Sequence, residues 1–299
     1  AGTVCAGGSL GTIIPPSILV VVYASATRVS VGDMLAGVLI PGVLMVSLFA
    51  GYMVLRGWLR PEHAPVVPPE EVDMPLARKL RISLLAFLPT VGLIVTVLGT
   101  IFAGVASPTE AGALGVVGAL VLAVVYRDLT GRALLEALRQ AMMITGMIMV
   151  IVFAGIAFTS VFMIGRGGEL VEGLVAALDL GPAGMVALFL AILFVLGFFL
   201  DWVSVILIAI PIFDPLVRAS GVDPVWFGVM VCVVLQTSYL TPPMAPSIFY
   251  LRAIAPPEMS YGEMCRGVAP FVLIQLFVLA IVAAAPSTAT WLPTILFTL

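Results

Sequence analysis

The chain has 299 residues, of which 62% are hydrophobic and only 10% are charged, and its mean hydropathy is +1.24. A soluble domain carries roughly 25% charged residues, so this composition excludes a water-soluble domain with an ordinary polar surface. The net charge of −3 also excludes the basic surface that binding to nucleic acid requires. We therefore predict that a lipid bilayer surrounds most of this chain.

Cysteine and histidine offer little for redox or metal chemistry. Cys5, Cys232 and Cys265 lie in separate stretches without a C-x-x-C pair, so we interpret them as packing residues. His63 is the single histidine and lies in a polar segment, which excludes histidine-based chemistry within the membrane. Ala1 opens an apolar stretch without an initiator Met or a basic leader, so we expect an N-terminal part to precede it.

Apolar segments recur along the whole chain, and the longer ones approach the about 20 residues that cross a bilayer. In three places, two shorter segments follow each other with only proline or a charged residue between them. This arrangement predicts broken helices or re-entrant hairpins. Non-helical backbone at membrane depth is tolerated only where protein buries it or where it lines a wet cavity. The predicted segments are 1–14, 17–27, 37–55, 83–106, 109–126, 140–164, 183–200, 202–217, 225–240, 244–255 and 267–285.

Two segments between the apolar runs are polar. Residues 56–81 hold several prolines and predict an extended linker, and residues 168–178 predict a short amphipathic helix at the membrane interface. If 56–81 lies in the cytoplasm, most of the 13 basic residues fall on the cytoplasmic side. Because cytoplasmic loops are enriched in Lys and Arg, we predict this orientation, with 127–139 also cytoplasmic and 165–182 periplasmic.

We interpret two similar stretches, each around a pair of prolines, as a repeat; coincidence in an apolar chain of low complexity is the alternative interpretation. Pro15-Pro16 and Pro242-Pro243 are 227 residues apart, and after a shift of three residues 30–38 resembles 260–268, with Ser-x-Gly-acid at the start of both. An odd number of predicted crossings separates the two Ser-x-Gly-acid blocks, so the copies face opposite ways. Inverted repeats with proline-broken helices at matching positions are typical of alternating-access transporters.

Each proline pair predicts an unwound segment that can bind ions. Proline lacks an N–H and clashes with the carbonyl one turn back, so two in a row release main-chain oxygens. Those oxygens, together with the hydroxyl of Thr241, can coordinate Na⁺. The helix that restarts presents N–H groups and a positive dipole end to an anion. A simple proline kink is the alternative interpretation of each site.

Two acidic residues stand beside apolar sequence. Asp201 follows the apolar run that ends in Gly197-Phe-Phe-Leu, and we predict a re-entrant hairpin over 183–217 with its tip at 197–201. A carboxylate at membrane depth is costly without a partner, so Asp201 is a candidate functional residue, although it can also cap the second helix of the hairpin. Glu110 follows Ser107-Pro108, and this pattern predicts a capping box that opens a helix.

In these motifs the chain resembles the large membrane subunit of tripartite ATP-independent periplasmic (TRAP) transporters. It departs from the family pattern at Ser107 in place of threonine, at Ser238 in place of a glycine, and at Met244-Ala245 in place of Val-Gly. The matching stretches run in family order: LGTIIPPSI (10–18), IPG (40–42), SPTEAGA (107–113), GFFLD (197–201), IPIFDPLVRASGVDP (210–224) and LTPPMAPSIFY (240–250).

The resemblance implies an all-α polytopic protein of the bacterial inner membrane: an inverted-repeat, elevator-type transporter with a re-entrant hairpin and two Pro-broken helices. It implies Na⁺ as the coupling ion and a small organic acid as the anionic solute. The implied partners are a small four-helix membrane subunit and a periplasmic substrate-binding protein. The implied organisation is a first unwound helix (1–27), an arm and scaffold helix (28–55), a cytoplasmic loop (56–81), scaffold helices of the second repeat (82–164), a periplasmic interfacial segment (165–182), the re-entrant hairpin (183–223), a second unwound helix (224–255), and an arm with a C-terminal scaffold helix (256–299).

The resemblance also implies particular site residues. One Na⁺ is expected at the first unwound helix, on main-chain oxygens near Gly11, Ile14 and Pro16. A second Na⁺ is expected between the hairpin tip and the second unwound helix, at Gly197, Ser238, Thr241 and Met244, with Asp201 nearby. The residues expected to face the solute are Ser17, Thr241, Pro242 and Pro243.

Three other functions remain open at this point. The first is an ion-coupled anion transporter of similar architecture that works without a binding protein. The second is an intramembrane aspartyl protease, which needs two close carboxylates, whereas Asp201 has no clear partner in the sequence. The third is a passive channel, against which the inverted repeat argues.

Overall fold

The computed structural model describes residues 1–63, 74–256 and 259–297. Within these ranges the fold is all-helical, and no residue lies in a β-strand. A 3₁₀ turn at Pro61–His63 follows α4. The α-helices are α1 (Gly2–Leu10), α2 (Ile18–Thr27), α3 (Val31–Gly37), α4 (Leu39–Leu59), α5 (Leu76–Phe102), α6 (Pro108–Val125), α7 (Gly131–Ile164), α8 (Gly167–Ala177), α9 (Pro182–Leu196), α10 (Trp202–Ala219), α11 (Pro224–Ser238), α12 (Pro246–Ile254), α13 (Tyr261–Ala284) and α14 (Ser287–Phe297).

The three predicted interruptions are present. Residues 11–17, which we call the first break, separate α1 from α2, and residues 239–245, the second break, separate α11 from α12. Residues 197–201 form the tip between α9 and α10, whose arms pack together through stacked rings of Phe189 and Phe213 with centroids 4.1 Å apart. The amphipathic helix predicted over 168–178 is confirmed as α8.

Helices reach further into the polar segments than the apolar pattern predicts. The segment 56–81 is helical at both ends, because α4 continues to Leu59 and α5 begins at Leu76, while its residues 64–73 lie outside the described part. Most of the predicted loop 127–139 is helical, since α7 begins at Gly131. The side-chain oxygen of Thr130 accepts a hydrogen bond from Ala133 N at 3.1 Å and so caps this polar first turn.

Serine and aspartate caps explain where several helices begin. The predicted capping box of Ser107 and Glu110 is confirmed, with Ser107 N donating to the Glu110 carboxylate at 2.8 Å. The same box recurs with Ser260 and Glu263 at the start of α13, and Ser30 caps α3. The Ser-x-Gly-acid blocks of the repeat therefore open equivalent helices, which satisfies the free N–H groups of their first turns.

One compact unit comprises residues 1–49 and 142–299 and contains both breaks and the hairpin. Its centre is α11, in which every residue from Phe227 to Ser238 is buried. Helix α11 packs against α2, α3, α9, α10, α13 and α14, and α1 packs against α12 and α13. The two breaks are therefore held by one apolar core.

The second compact unit comprises residues 50–141, in which α5 packs against α6. Glycines on α6 allow this close approach, because a Cβ on Gly115 would lie 3.3 Å from the Val97 side chain and one on Gly118 would overlap Leu93. Small residues let the backbones of membrane helices approach each other in this way.

Six helical spans in the described residues are long and apolar enough to cross a membrane. Many of their large apolar side chains are exposed, among them Phe87, Val116 and Phe153. An apolar surface of this extent needs lipid rather than water around it. The spans are Val31–Leu59, Leu76–Phe102, Pro108–Val125, Gly131–Ile164, Trp202–Ala219 and Tyr261–Ala284.

Candidate functional site

At the start of the first break, main-chain N–H groups donate to oxygens two or three residues back instead of four, as in an α-helix. The main-chain oxygen of Ser9 accepts from Gly11 N and from Thr12 N, the latter at 3.1 Å. The hydroxyl of Thr12 donates to the same oxygen at 2.7 Å. Ser17 ends the break: its hydroxyl donates to Thr12 O and accepts from Val20 N at 3.4 Å, so it caps α2.

The second break ends α11 with the same bond pattern. The oxygen of Gln236 accepts from Tyr239 N at 3.1 Å, as Ser9 does from Thr12. The hydroxyl of Thr241 donates to Thr237 O at 2.7 Å. Both Pro–Pro peptide bonds, one in each break, are cis.

The hairpin tip lies against the end of α11. A Cβ on Gly197 would stand 3.0 Å from the Cβ of Ser238, so the Ser238 side chain packs against the tip at Gly197. Asp201 caps α10, because its carboxylate accepts a hydrogen bond from Val203 N at 3.0 Å. The capping role foreseen for Asp201 is confirmed, and its part in ion binding stays a prediction.

Several main-chain oxygens at the breaks and the tip have no hydrogen-bond donor within the described ranges. They include the oxygens of Gly11, Ile14, Gly197 and Ser238. Proline at 242 explains the free oxygen of Ser238, since the residue that would donate to it has no N–H. Unpaired neutral oxygens are ligands that a hard cation accepts, so the residue set fits Na⁺.

The other predicted site residues differ in exposure. Ser17 is only 2% exposed and its hydroxyl is used within the first break. Pro242 and Pro243 are exposed, and Met244 is half-buried. Ala245 has a left-handed backbone with φ of 31°, a conformation that favours glycine, which explains why the family pattern places glycine there.

The structure shows a buried polar cluster that the sequence reasoning missed. Ser9, Gln236 and Gln275 are all 0% exposed. The side-chain amide of Gln236 donates to Ser9 O at 3.1 Å, and that of Gln275 donates to Ser9 Oγ at 3.5 Å. The available signal was a glutamine inside each of the two apolar segments 225–240 and 267–285, where a polar side chain needs a partner.

Contacts between the two copies of the repeat come in matched pairs. The repeat equates Gly2 with Val229 and Gly37 with Gly267. A Cβ on Gly2 would overlap the main-chain oxygen of Gly267, and a Cβ on Gly37 would lie 3.1 Å from Val229 Cγ2. The contact of α1 with α13 therefore has a counterpart in the contact of α11 with α3.

A sequence model of the family described as "Tripartite ATP-independent periplasmic transporter, DctM component" matches residues 1–288. The chain belongs to this family. It is 32% identical over 298 residues to the C4-dicarboxylate TRAP transporter large permease protein of Pseudomonas aeruginosa, covering 98% of this chain and 67% of that protein. It is 31% identical over 286 residues to the ectoine/5-hydroxyectoine large permease of Ruegeria pomeroyi, covering 95% and 65%.

A third relative is the sialic acid TRAP transporter large permease of Vibrio cholerae, 27% identical over 293 residues, covering 98% of this chain and 66% of that protein. The chain thus spans about two thirds of the length of these relatives. As a DctM-family permease, it is a multi-pass protein of the bacterial inner (plasma) membrane. Its relatives are transporter permeases and not enzymes, so the protease alternative is set aside.

Proposed function

We propose that the chain forms part of a secondary transporter that takes up a small organic acid, delivered by a periplasmic binding protein, together with Na⁺. The observation that carries this proposal is the pair of breaks with equivalent hydrogen bonds, held in one core of a TRAP permease. Broken helices at matching positions in two repeats are the usual place of ion and substrate binding in secondary transporters.

Na⁺ coupling is supported by the chemistry of the free oxygens. In the first break the ligands are main-chain oxygens near Gly11, Ile14 and Pro16, because no side chain there offers a carboxylate. Among the described residues, no group of three or more His, Cys, Asp or Glu could hold a metal ion, and we infer that main-chain and hydroxyl oxygens supply most of the ligands at the breaks.

The proposed second Na⁺ site joins the hairpin tip to the second break. Its oxygens belong to Gly197, Ser238, Thr241 and Met244, and the Ser238 side chain packs against Gly197. The carboxylate of Asp201 lies at the same tip and adds a negative charge close to the ion. An ion at this position would tie the tip to α11, so we infer that Na⁺ binding closes the hairpin over the solute.

We infer that the solute carries a carboxylate. The named substrates of the relatives, C4-dicarboxylate, ectoine, sialic acid and 2,3-diketo-L-gulonate, all carry one. Helices α2 and α12 both restart directly after a break, and helix N-termini favour anions. We place the solute beside Thr241, Pro242 and Pro243, with Ser17 at the start of α2.

Elevator movement is the proposed mechanism of access. The matched contacts between the repeat copies support a repeat whose two halves pack against each other in equivalent ways. The unit with both breaks and the hairpin contains the proposed transport part, together with residues 28–49, 142–164 and 256–299, which the resemblance assigns to arms and scaffold helices. In an elevator transporter the transport part slides through the scaffold and carries the binding site with it.

Reconstitution tests this function. We expect proteoliposomes that contain the whole permease and its small four-helix membrane subunit to accumulate a labelled carboxylate only when an inward Na⁺ gradient and the binding protein are both supplied. Equal uptake without the binding protein would favour the alternative transporter that works alone. Uptake that continues unchanged with K⁺ in place of Na⁺ would contradict Na⁺ coupling.

A further inference from the structure

One buried hydrogen bond connects the last turns of α1 and α11, which directly precede the two breaks. The side-chain amide of Gln236 donates to the main-chain oxygen of Ser9 at 3.1 Å, across 227 residues of sequence. The repeat offset is also 227, because Pro15-Pro16 and Pro242-Pro243 are separated by the same distance in the chain. Two equivalent positions of the repeat are thus in direct contact, at the place where the two copies meet.

The bond joins the last turns before the two breaks. The oxygen of Ser9 also accepts from Gly11 N and Thr12 N, so it is the carbonyl on which α1 ends. Gln236 has the same place in α11, since its own oxygen accepts from Tyr239 N, the first residue of the second break. Displacement of one break relative to the other would therefore strain or break this bond.

The surroundings make the bond costly to lose. Gln236 and Ser9 are both 0% exposed, and Oε1 of Gln236 has no hydrogen-bond partner among the described residues. The amide is therefore oriented by its single bond to Ser9. A buried donor left without its acceptor carries the full cost of desolvation, which makes the two breaks adopt compatible conformations.

We propose that Gln236 is a positioning residue that couples the two Na⁺ sites. An ion that orders the first break fixes the end of α1 and, through Gln236, the end of α11. The second ion then binds to a break that is already partly ordered, which gives positive cooperativity and, by linkage, the same coupling in both directions. This inference rests on the proposed function, because it requires Na⁺ at both breaks.

The chain offers a matched pair of variants. Gln236→Met keeps the length of the side chain and removes the N–H donor to Ser9 O. Gln275→Met makes the same change at an equally buried glutamine, whose amide reaches Ser9 Oγ at 3.5 Å and not the carbonyl that ends α1. Uptake against Na⁺ concentration is measured for both in proteoliposomes that contain the whole permease, its small subunit and the binding protein.

We expect a wild-type Hill coefficient above 1 for Na⁺ that falls toward 1 in Gln236→Met. The half-saturating Na⁺ concentration should rise by about 2- to 10-fold, taking the net value of one hydrogen bond as the scale. Gln275→Met should retain the wild-type Hill coefficient. Retained cooperativity in Gln236→Met, or an equal loss in both variants, would overturn the coupling and leave only a packing role.

If Gln236→Met does not reach the membrane, uptake by the wild-type protein measured against Na⁺ concentration still tests the proposal. Na⁺-dependent uptake with a Hill coefficient of 1 overturns the coupling and leaves the proposed function in place. Uptake that does not depend on Na⁺ overturns the proposed function and this inference together.

Discussion

Gly197 at the hairpin tip and Ser238 at the end of α11 are in contact, since a Cβ on Gly197 would lie 3.0 Å from Cβ and 3.3 Å from Oγ of Ser238. We expect Gly197→Ala to push the tip away from the second break. Overpacking of this kind costs about 1–3 kcal/mol, which corresponds to a rise of about 5- to 100-fold in the half-saturating Na⁺ concentration for uptake. Uptake against Na⁺ concentration in proteoliposomes measures this rise.

The contact of Gly197 with Ser238 also allows a rescue experiment with a second substitution. Ser238→Gly removes the atoms that the added methyl group would meet, so Gly197→Ala with Ser238→Gly should recover most of the Na⁺ affinity. Gly173→Ala is the control, because a Cβ on Gly173 meets no heavy atom within 4 Å. A double variant as impaired as Gly197→Ala alone would show that the steric contact is not the cause.

Replacement of Asp201 by asparagine separates its charge from its capping role. Asparagine caps helices about as well as aspartate, so α10 should keep its first turn and the protein should reach the membrane. We expect Na⁺-dependent uptake to fall in Asp201→Asn. Asp223 caps α11 by accepting from Trp226 N at 2.8 Å, and Asp223→Asn should have little effect. Unchanged Na⁺ dependence in Asp201→Asn would leave Asp201 with the cap alone.

The two breaks should respond differently to substitution at equivalent positions. Thr241→Val preserves the volume but removes the hydroxyl oxygen that we propose as a Na⁺ ligand. Loss of one polar contact of about 1–3 kcal/mol should raise the half-saturating Na⁺ concentration by about 5- to 100-fold. Ile14, the repeat equivalent of Thr241, has no side-chain oxygen, so Ile14→Val should be close to silent.

Thr241→Ser is the matched control for this prediction, because it retains the oxygen and should retain the Na⁺ affinity. The hydroxyl of Thr241 also donates to Thr237 O at 2.7 Å, so a purely structural role is the competing explanation. Equal and small effects of Thr241→Val and Ile14→Val on the Na⁺ titration would favour that explanation.

Membrane orientation can be tested by labelling single cysteines. In a variant without the three native cysteines, Glu62→Cys and Asp128→Cys should react with an impermeant maleimide only after the cells are opened. Glu172→Cys on α8 should react in cells whose outer membrane alone is permeable. Labelling of Glu62→Cys from the periplasm would reverse the orientation that the Lys and Arg distribution predicts.

The sequence alone determined the local features of this fold. Two consecutive prolines, at 15–16 and at 242–243, remove two N–H donors in a row and so favour a break by local chemistry alone. Both breaks were therefore predicted at their observed positions. The capping box of Ser107 and Glu110 and the cap at Asp201 depend only on residues within one turn, and they too were predictable. The strong apolar excess determined the membrane environment in the same direct way.

Hydrophobicity was a weaker guide to the length of helices. The first turns of α7, from Gly131 to Arg139, carry charges, and the apolar pattern therefore assigned them to a loop. Such turns are helical because backbone hydrogen bonds and the Thr130 cap do not require apolar side chains. The apolar pattern reports where lipid surrounds a helix rather than where the helix begins.

Only the tertiary structure decided which distant residues meet. The bond of Gln236 to Ser9 and the contact of Gly197 with Ser238 depend on how α1, α9 and α11 pack, and no local pattern contains that information. The burial of Ser17 likewise follows from packing, since a serine before a helix is equally compatible with an exposed position. Local chemistry sets where this chain unwinds, and helix packing sets what each unwound segment touches, because contacts between residues far apart in the sequence form only when the core assembles.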